Sequence, residues 1–119
     1  MADLDAVESR IWRLLEPYRD ELEEATIYGM PSLRWPGSGG HDYFAAVKRS
    51  ANKVSLYAIA VDTWPEALQG CTARFRKCRT GKATFSFPSL DDELAAELEA
   101  FLERLYRPYR EHHAGRSAT

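Results

Sequence analysis

At 119 residues, with 45% hydrophobic and 29% charged side chains, the chain has the length and apolar content for one domain around one core and is too short for two of ordinary size. A formal net charge of −2 excludes the broad cationic footprint that nucleic-acid binding uses. No run reaches the roughly 20 apolar residues that cross a bilayer, and the acidic start, Met1 to Asp5, lacks the basic region of a secretory leader, so a cytoplasmic protein is expected.

Residues 3–15 have helical periodicity, with Leu4, Val7, Ile11 and Leu14 on one stripe, Leu15 widening it and Asp3 as cap. Pro17 breaks that helix and opens a second one, expected to run to about Ala25 with Tyr18 and Leu22 on its packed side. A strand from Thr26 to Trp35 comes next, with Ile27, Tyr28, Met30, Leu33 and Trp35 as its β-compatible bulk, at a sheet edge or interrupted at Pro31, which has no amide donor. The turn residues Pro36-Gly37-Ser38-Gly39-Gly40 then predict a hairpin into a second strand, Tyr43–Val47. Val54–Val61 reads as a third strand, with Val54, Leu56, Ala58 and Ala60 on one face and Ser55, Tyr57, Ile59 and Val61 on the other. That second face is not cleanly polar, as expected of a strand covered on both sides or of a pocket lining.

Beyond it, Asp62–Leu68 predicts a short helix anchored by Trp64 and Leu68, and residues 71–78 a turn or short helix with Phe75 inward. Ala83–Phe87 alternates as a fourth strand that Pro88 stops. Ser89, with Asp92 three residues on, is the expected cap of a last helix from about Leu90 to Tyr106, whose Leu90, Leu94, Leu98, Phe101, Leu102 and Leu105 form one apolar face. The fold class is therefore α+β, a small, mostly antiparallel four-stranded sheet packed against N-terminal and C-terminal helices. Residues 1–109 form the domain and 110–119 a polar, flexible tail in which His112 and His113 are exposed.

The candidate chemistry is sparse. The turn WPGSGGHDY has neither the dinucleotide-binding spacing nor the lysine and hydroxyl of a triphosphate loop. His41 and Asp42 are adjacent on a strand and point to opposite sides, so they make a poor acid–base pair. Cys71 and Cys78 are too far apart for a CxxC pair and have no histidine between them; two reduced, partly buried thiols are expected. Tyr28, Trp35, Tyr43 and Tyr57 offer aromatic surface with polar handles, and Lys48 and Lys82 can approach an anion, which makes these six residues the candidate ligand site. The competing reading is ordinary core aromatics with solvated lysines. Asp20, Glu21, Glu23 and Glu24, together with Asp91, Asp92 and Glu93, are the candidate metal ligands, against the reading of a solvated acidic face with no histidine or calcium-loop pattern to fix a geometry.

At YGMPSLRW, then YFAAVKRSANKVSLY and GKATFSF, the chain resembles the YdhG-like family, small uncharacterised domains that include proteins described as frataxin-like intracellular iron chaperones. The resemblance spans most of residues 10–106. It rests on Tyr28, Gly29, Pro31 and Leu33, then Phe44, Ala45, Lys48, Leu56 and Tyr57, then Gly81, Lys82, Thr84 and Phe87. It implies helices packed on a small antiparallel sheet. Family members often carry a histidine where this chain has Arg49-Ser50-Ala51-Asn52. Two functions are expected: a non-catalytic domain that binds a small, anionic ligand or a protein partner, and an iron-binding chaperone using the seven carboxylates above. An unrecognised enzyme is a third. Neither a resident cofactor nor a partner is identified, although the carboxylates leave room for iron and a homodimer is compatible with the sequence.

Overall fold

A computed structural model describes residues 3–27, 29–36 and 43–117. Asp3 caps the first helix, α1 (Leu4–Leu15), by accepting the Asp5 amide at 3.0 Å. Val7, Ile11 and Leu15 are its buried stripe, and Leu14 stays at the periphery. Pro17 ends the helix as expected, but it sits in a single 3-10 turn, Glu16–Tyr18. The predicted second helix does not form. Its sequence instead enters strand β1 (Glu23–Ile27), which pairs with β2 (Met30–Arg34) from Glu23 opposite Arg34 to Ile27 opposite Met30. Glu, Leu and Ala favour helix locally, but a five-residue ladder and the burial of Leu22 and Ile27 outweigh that preference. The tight connection passes through Gly29, whose φ of 77° suits a residue without a side chain.

Three further strands complete an open antiparallel sheet in the order β1-β2-β3-β4-β5: β3 (Ala45–Arg49), β4 (Val54–Tyr57) and β5 (Thr84–Phe87). The sheet has five strands where the sequence predicts four, because β1 overlaps the stretch that reads locally as helix. Pro31 therefore lies on an inner strand. The β2–β3 ladder covers only Ser32 and Leu33, so the missing amide falls where β3 does not pair. β4 ends at Tyr57, short of Val61, since Ala60–Thr63 turns into a short helix (α2) that carries Ala60 and Val61 together into the core. The helix expected over Asp62–Leu68 is thereby split between α2 and a 3-10 turn at Pro65–Leu68, and neither has a side-chain cap. α3 (Ala73–Arg76) is capped by Thr72 and buries Phe75.

The last helix, α4, runs Asp92–Ser117. Its cap is Asp91 and not Ser89: the Leu94 amide donates to Asp91 Oδ1 at 2.8 Å. Leu94, Leu98, Phe101, Leu102 and Leu105 are buried in one cluster with Leu33, Val47, Val54, Leu56, Phe85 and Phe87 of the sheet and with the stripe of α1. Phe101 lies 5.1 Å from Phe85 and 5.3 Å from Phe75, ring centre to ring centre.

The expected flexible tail from residue 110 is helical through Ser117 instead, despite Pro108, which removes one ladder hydrogen bond. Contacts beyond the proline offset that loss. Tyr109 accepts the Trp35 amide at 3.0 Å, and Arg110 pairs with Glu21 at 2.8 Å. His113, expected to be exposed, is 4% exposed and stacks on Trp35, while His112 lies against Trp64.

Leu98 has no exposed surface, so Leu98→Ala should lose about 2–5 kcal/mol through transfer and cavity terms. A denaturant midpoint that stays at the wild-type value in that variant would remove Leu98 from the core.

Candidate functional site

Strand alternation sends one set of side chains toward the helices and the other away from them. The set facing away contains a small cluster of its own: Ile27, Met30, Tyr43 and Ala46 are buried together, with Tyr57 and Ile59 half-buried against them. None of these residues belongs to a helix, whereas the buried apolar residues of all four helices join the larger cluster on the other side.

The register arranges this outer face in rows. Ser32 stands opposite Ala46, Ala46 opposite Tyr57, and Tyr57 opposite Thr84. Two residues along, Lys48 stands opposite Ser55 and Ser55 opposite Ser86. The second row continues past the sheet edge, because residues 78–80 run beside β5: the Ser86 amide donates to the Cys78 carbonyl at 2.7 Å and the Thr80 amide to the Thr84 carbonyl at 2.9 Å. Ser55 Oγ and Ser86 Oγ are 3.1 Å apart, and Ser86 Oγ is 2.8 Å from Thr80 Oγ1. Three hydroxyls thus form one chain whose first residue, Ser55, is the register partner of Lys48.

Of the six candidate ligand residues, Tyr43, Tyr57 and Lys48 share this face. Trp35 does not join them; it is drawn to the helix side by Tyr109 and His113. Lys82 is exposed in the loop before β5, where its carbonyl accepts from the Arg79 guanidinium. Tyr28 lies outside the described residues, as do His41, Asp42 and the glycines of the preceding turn.

Six of the seven candidate metal ligands face arginines. Glu21 accepts from Tyr106 Oη at 2.8 Å and from Arg110. Glu23 pairs with Arg34 at 2.9 Å and Glu24 with Arg19. Asp91 and Glu93 both face Arg74, and Asp92 faces Arg10. Asp20 is exposed on the turn before β1. Glu23 and Glu24 are successive residues of a strand and point to opposite faces of the sheet. Among the described residues, no three His, Cys, Asp or Glu side chains are placed to hold one ion.

Ionisation is set by these contacts. Hydrogen bonds from Arg110 and then Tyr106 hold the Glu21 carboxyl below its ordinary value. Burial, reinforced by Glu21, raises the Tyr106 hydroxyl, which remains a donor. Burial likewise pushes Tyr18 up to about 12, with Glu103 and Glu99 adding to it. Both cysteines are free and partly buried, as the spacing suggests; burial raises the Cys78 thiol, and the Arg104 guanidinium lies 3.3 Å from Cys71 Sγ.

A hollow of about 420 Å³ beside β1, between Trp12 and Pro31, has no counterpart in the sequence reading. Arg19 lies 5.3 Å above the Trp12 ring and is ion-paired to Glu16 and Glu24. Its cation is neutralised in place, and Arg19, Glu24 and Ala25 of the lining lie in the stretch 17–25 that the sequence predicts as helix. The hydroxyl row has a legible signal, the alternation in VSLY and TFSF that turns Ser55 and Ser86 away from the core.

Compared with known proteins, the chain matches no family model, no curated protein and no solved structure.

Glu21 is depressed in the folded state, so its contribution is complete above its ordinary value of 4.5 and is lost as pH falls through the lowered one. Glu21→Gln should therefore lose less stability than wild type between about pH 6 and about pH 3, read from urea midpoints; parallel losses would dissociate Glu21 from acid sensitivity. Arginine engagement of the carboxylates also predicts that an anaerobic ferrous titration gives no saturable site beyond that of an acidic control protein. A one-to-one isotherm would restore the carboxylates as ligands.

Proposed function

We propose that the chain is a non-catalytic binding domain that takes a small molecule with a flat apolar body on the helix-free face of its sheet. The observation that carries this reading is the meeting of Tyr43 and Tyr57 with Ile27, Met30 and Ile59 on that face. Aromatic and aliphatic walls bordered by a few polar groups are the usual composition of a small-molecule site. Among the described residues, the half-buried members of the cluster, Tyr57 and Ile59, are too little apolar surface for a protein interface, which buries about 1,200 Å² or more. A small ligand is therefore favoured over a protein partner.

The hydroxyls beside the cluster bond one another instead of a general base, which supports binding over nucleophilic catalysis. The iron-chaperone reading has less support, since six of its seven candidate carboxylates face arginines.

N-phenyl-2-naphthylamine, a neutral fluorophore that brightens in apolar sites, should bind saturably to the folded protein. Tyr57→Ala should weaken it roughly fivefold or more through lost stacking and apolar contact. An affinity unchanged in that variant, with the near-ultraviolet dichroism intact, would dismiss the face as the site.

A further inference from the structure

The two edges of the open sheet are not alike. Residues 78–80 run beside β5 and bond its Ser86 amide and Thr84 carbonyl, whereas nothing among the described residues pairs with the outer side of β1. Which residues of β1 face outward follows from β2. The Leu33 carbonyl accepts the Phe44 amide at 2.8 Å, so Leu33 turns its main-chain polar groups toward β3, and so does Pro31, two residues away. Their register partners, Glu24 and Thr26, therefore make no ladder bonds to β2 and direct their own N–H and C=O groups out of the edge. The missing amide of Pro31 falls on the β3 side in the same scheme.

Exposed edges are ordinarily guarded by unpaired charges, prolines or bulges. β1 has none of these: its five residues pair with β2 in unbroken register, and Glu23 and Glu24 are matched within the chain by Arg34 and Arg19. Glu24 and Thr26 also line the hollow of about 420 Å³ that Trp12 borders, which leaves room for the side chains of a strand laid alongside. The same strand from a second copy fits this edge in one antiparallel register. Hydrogen-bonded pairs join outward residues to outward residues, so Glu24 and Thr26 meet only each other or themselves. Glu24 opposite Glu24 sets like charges face to face, which destabilises a sheet. Thr26 opposite Thr26 leaves Glu24 opposite residue 28, past the end of the strand. With a twofold axis through Ala25, Glu24 of each copy stands opposite Thr26 of the other, both outward residues are paired, and the Thr26 hydroxyl can donate to the facing carboxylate.

We propose that two copies of the chain join edge to edge through β1, antiparallel about Ala25, so that the sheet of one continues into the sheet of the other. The pairing is self-complementary and closes as a dimer. It is independent of the ligand reading above, which concerns a face of the sheet and not its edge. The contact is small, so the dimer belongs to the transient class at the low end of interface size.

Sedimentation velocity of the full chain over a range of concentrations should show a monomer–dimer equilibrium, and amide exchange at Glu24 and Thr26 should slow as concentration rises. Thr26→Glu sets carboxylates opposite one another in both pairs and should weaken the dimer roughly tenfold. Thr26→Lys sets an ammonium opposite Glu24 and should hold the dimer at least as tightly as wild type. Thr26 is exposed, so neither change touches the core. Gln69→Glu, the same change of charge at an exposed position outside the sheet, should leave association as it is. The edge pairing is overturned by a wild type that stays monomeric up to about 1 mM, by equal association of Thr26→Glu and Thr26→Lys, by a loss in Gln69→Glu as large as that in Thr26→Glu, or by concentration-dependent protection that falls outside β1.

Discussion

One-sided burial of the sheet is the constraint on which the rest of the molecule depends. Leu33, Ala45, Val47, Val54, Leu56, Phe85 and Phe87 come from four strands and all enter the cluster shared with α1 and α4. Fully burying one side chain of this size contributes roughly 1.5–3 kcal/mol. Shifting any strand by one residue would move its whole apolar set to the other face, so the burial fixes the register. With the register fixed, the position of every outward residue is fixed too. Tyr57, Ser55 and Lys48 are neighbours because Leu56, Val54 and Val47 are core.

The carboxyl-terminal half of α4 closes this arrangement across long sequence separations. Tyr106 and Arg110 bind Glu21 ahead of β1, and Tyr109 binds the Trp35 backbone just after β2. Phe44, at the entry to β3, packs between Tyr18, Tyr106 and Tyr109. One helical segment therefore holds both ends of the β1–β2 hairpin and the start of β3. This also accounts for a helix that continues through Pro108: the cost at the proline is offset by the burial of Tyr109 and His113 on the far side of it.

Much of the core is legible in the sequence because its signals are local. The stripes in α1 and α4 repeat within a few turns, and the alternation in VSLY and TFSF identifies both inward and outward residues without reference to partners. The stretch from Pro17 to Ile27 is not legible, since Glu, Leu and Ala prefer helix locally and only pairing with Met30–Arg34 makes part of it a strand. Capping fails for a related reason. Ser89 and Asp91 are both good caps, and the choice between them is set by where Leu94 and Leu98 must point, a tertiary requirement. His113 reads as exposed because its surroundings in sequence are polar, while its neighbours in space are Trp35 and Tyr109. At the candidate site the sequence supplies Tyr43, Tyr57 and Lys48 but also enlists Trp35, because periodicity does not say that a strand ends and its next residue is taken by a helix.

The two kinds of cation are used differently in the ion pairs of the described residues. Arg10, Arg19, Arg34, Arg49, Arg74 and Arg110 each pair with a carboxylate, and most of these pairs join segments far apart in the chain. A planar guanidinium suits such clamps, since it presents several donors in fixed directions. Lys48, Lys53, Lys77 and Lys82 take no part in these ion pairs among the described residues. Half of the chain's eighteen acids are in ion pairs among the described residues, and Lys48 is the charged residue across the ladder from Ser55 beside the aromatic cluster. Exposed ion pairs of this kind each contribute only about 0–1 kcal/mol to stability, so their larger consequence is chemical. They occupy carboxylates with guanidinium partners and leave Lys48, across the ladder from Ser55 on the outer face, outside the ion pairs among the described residues.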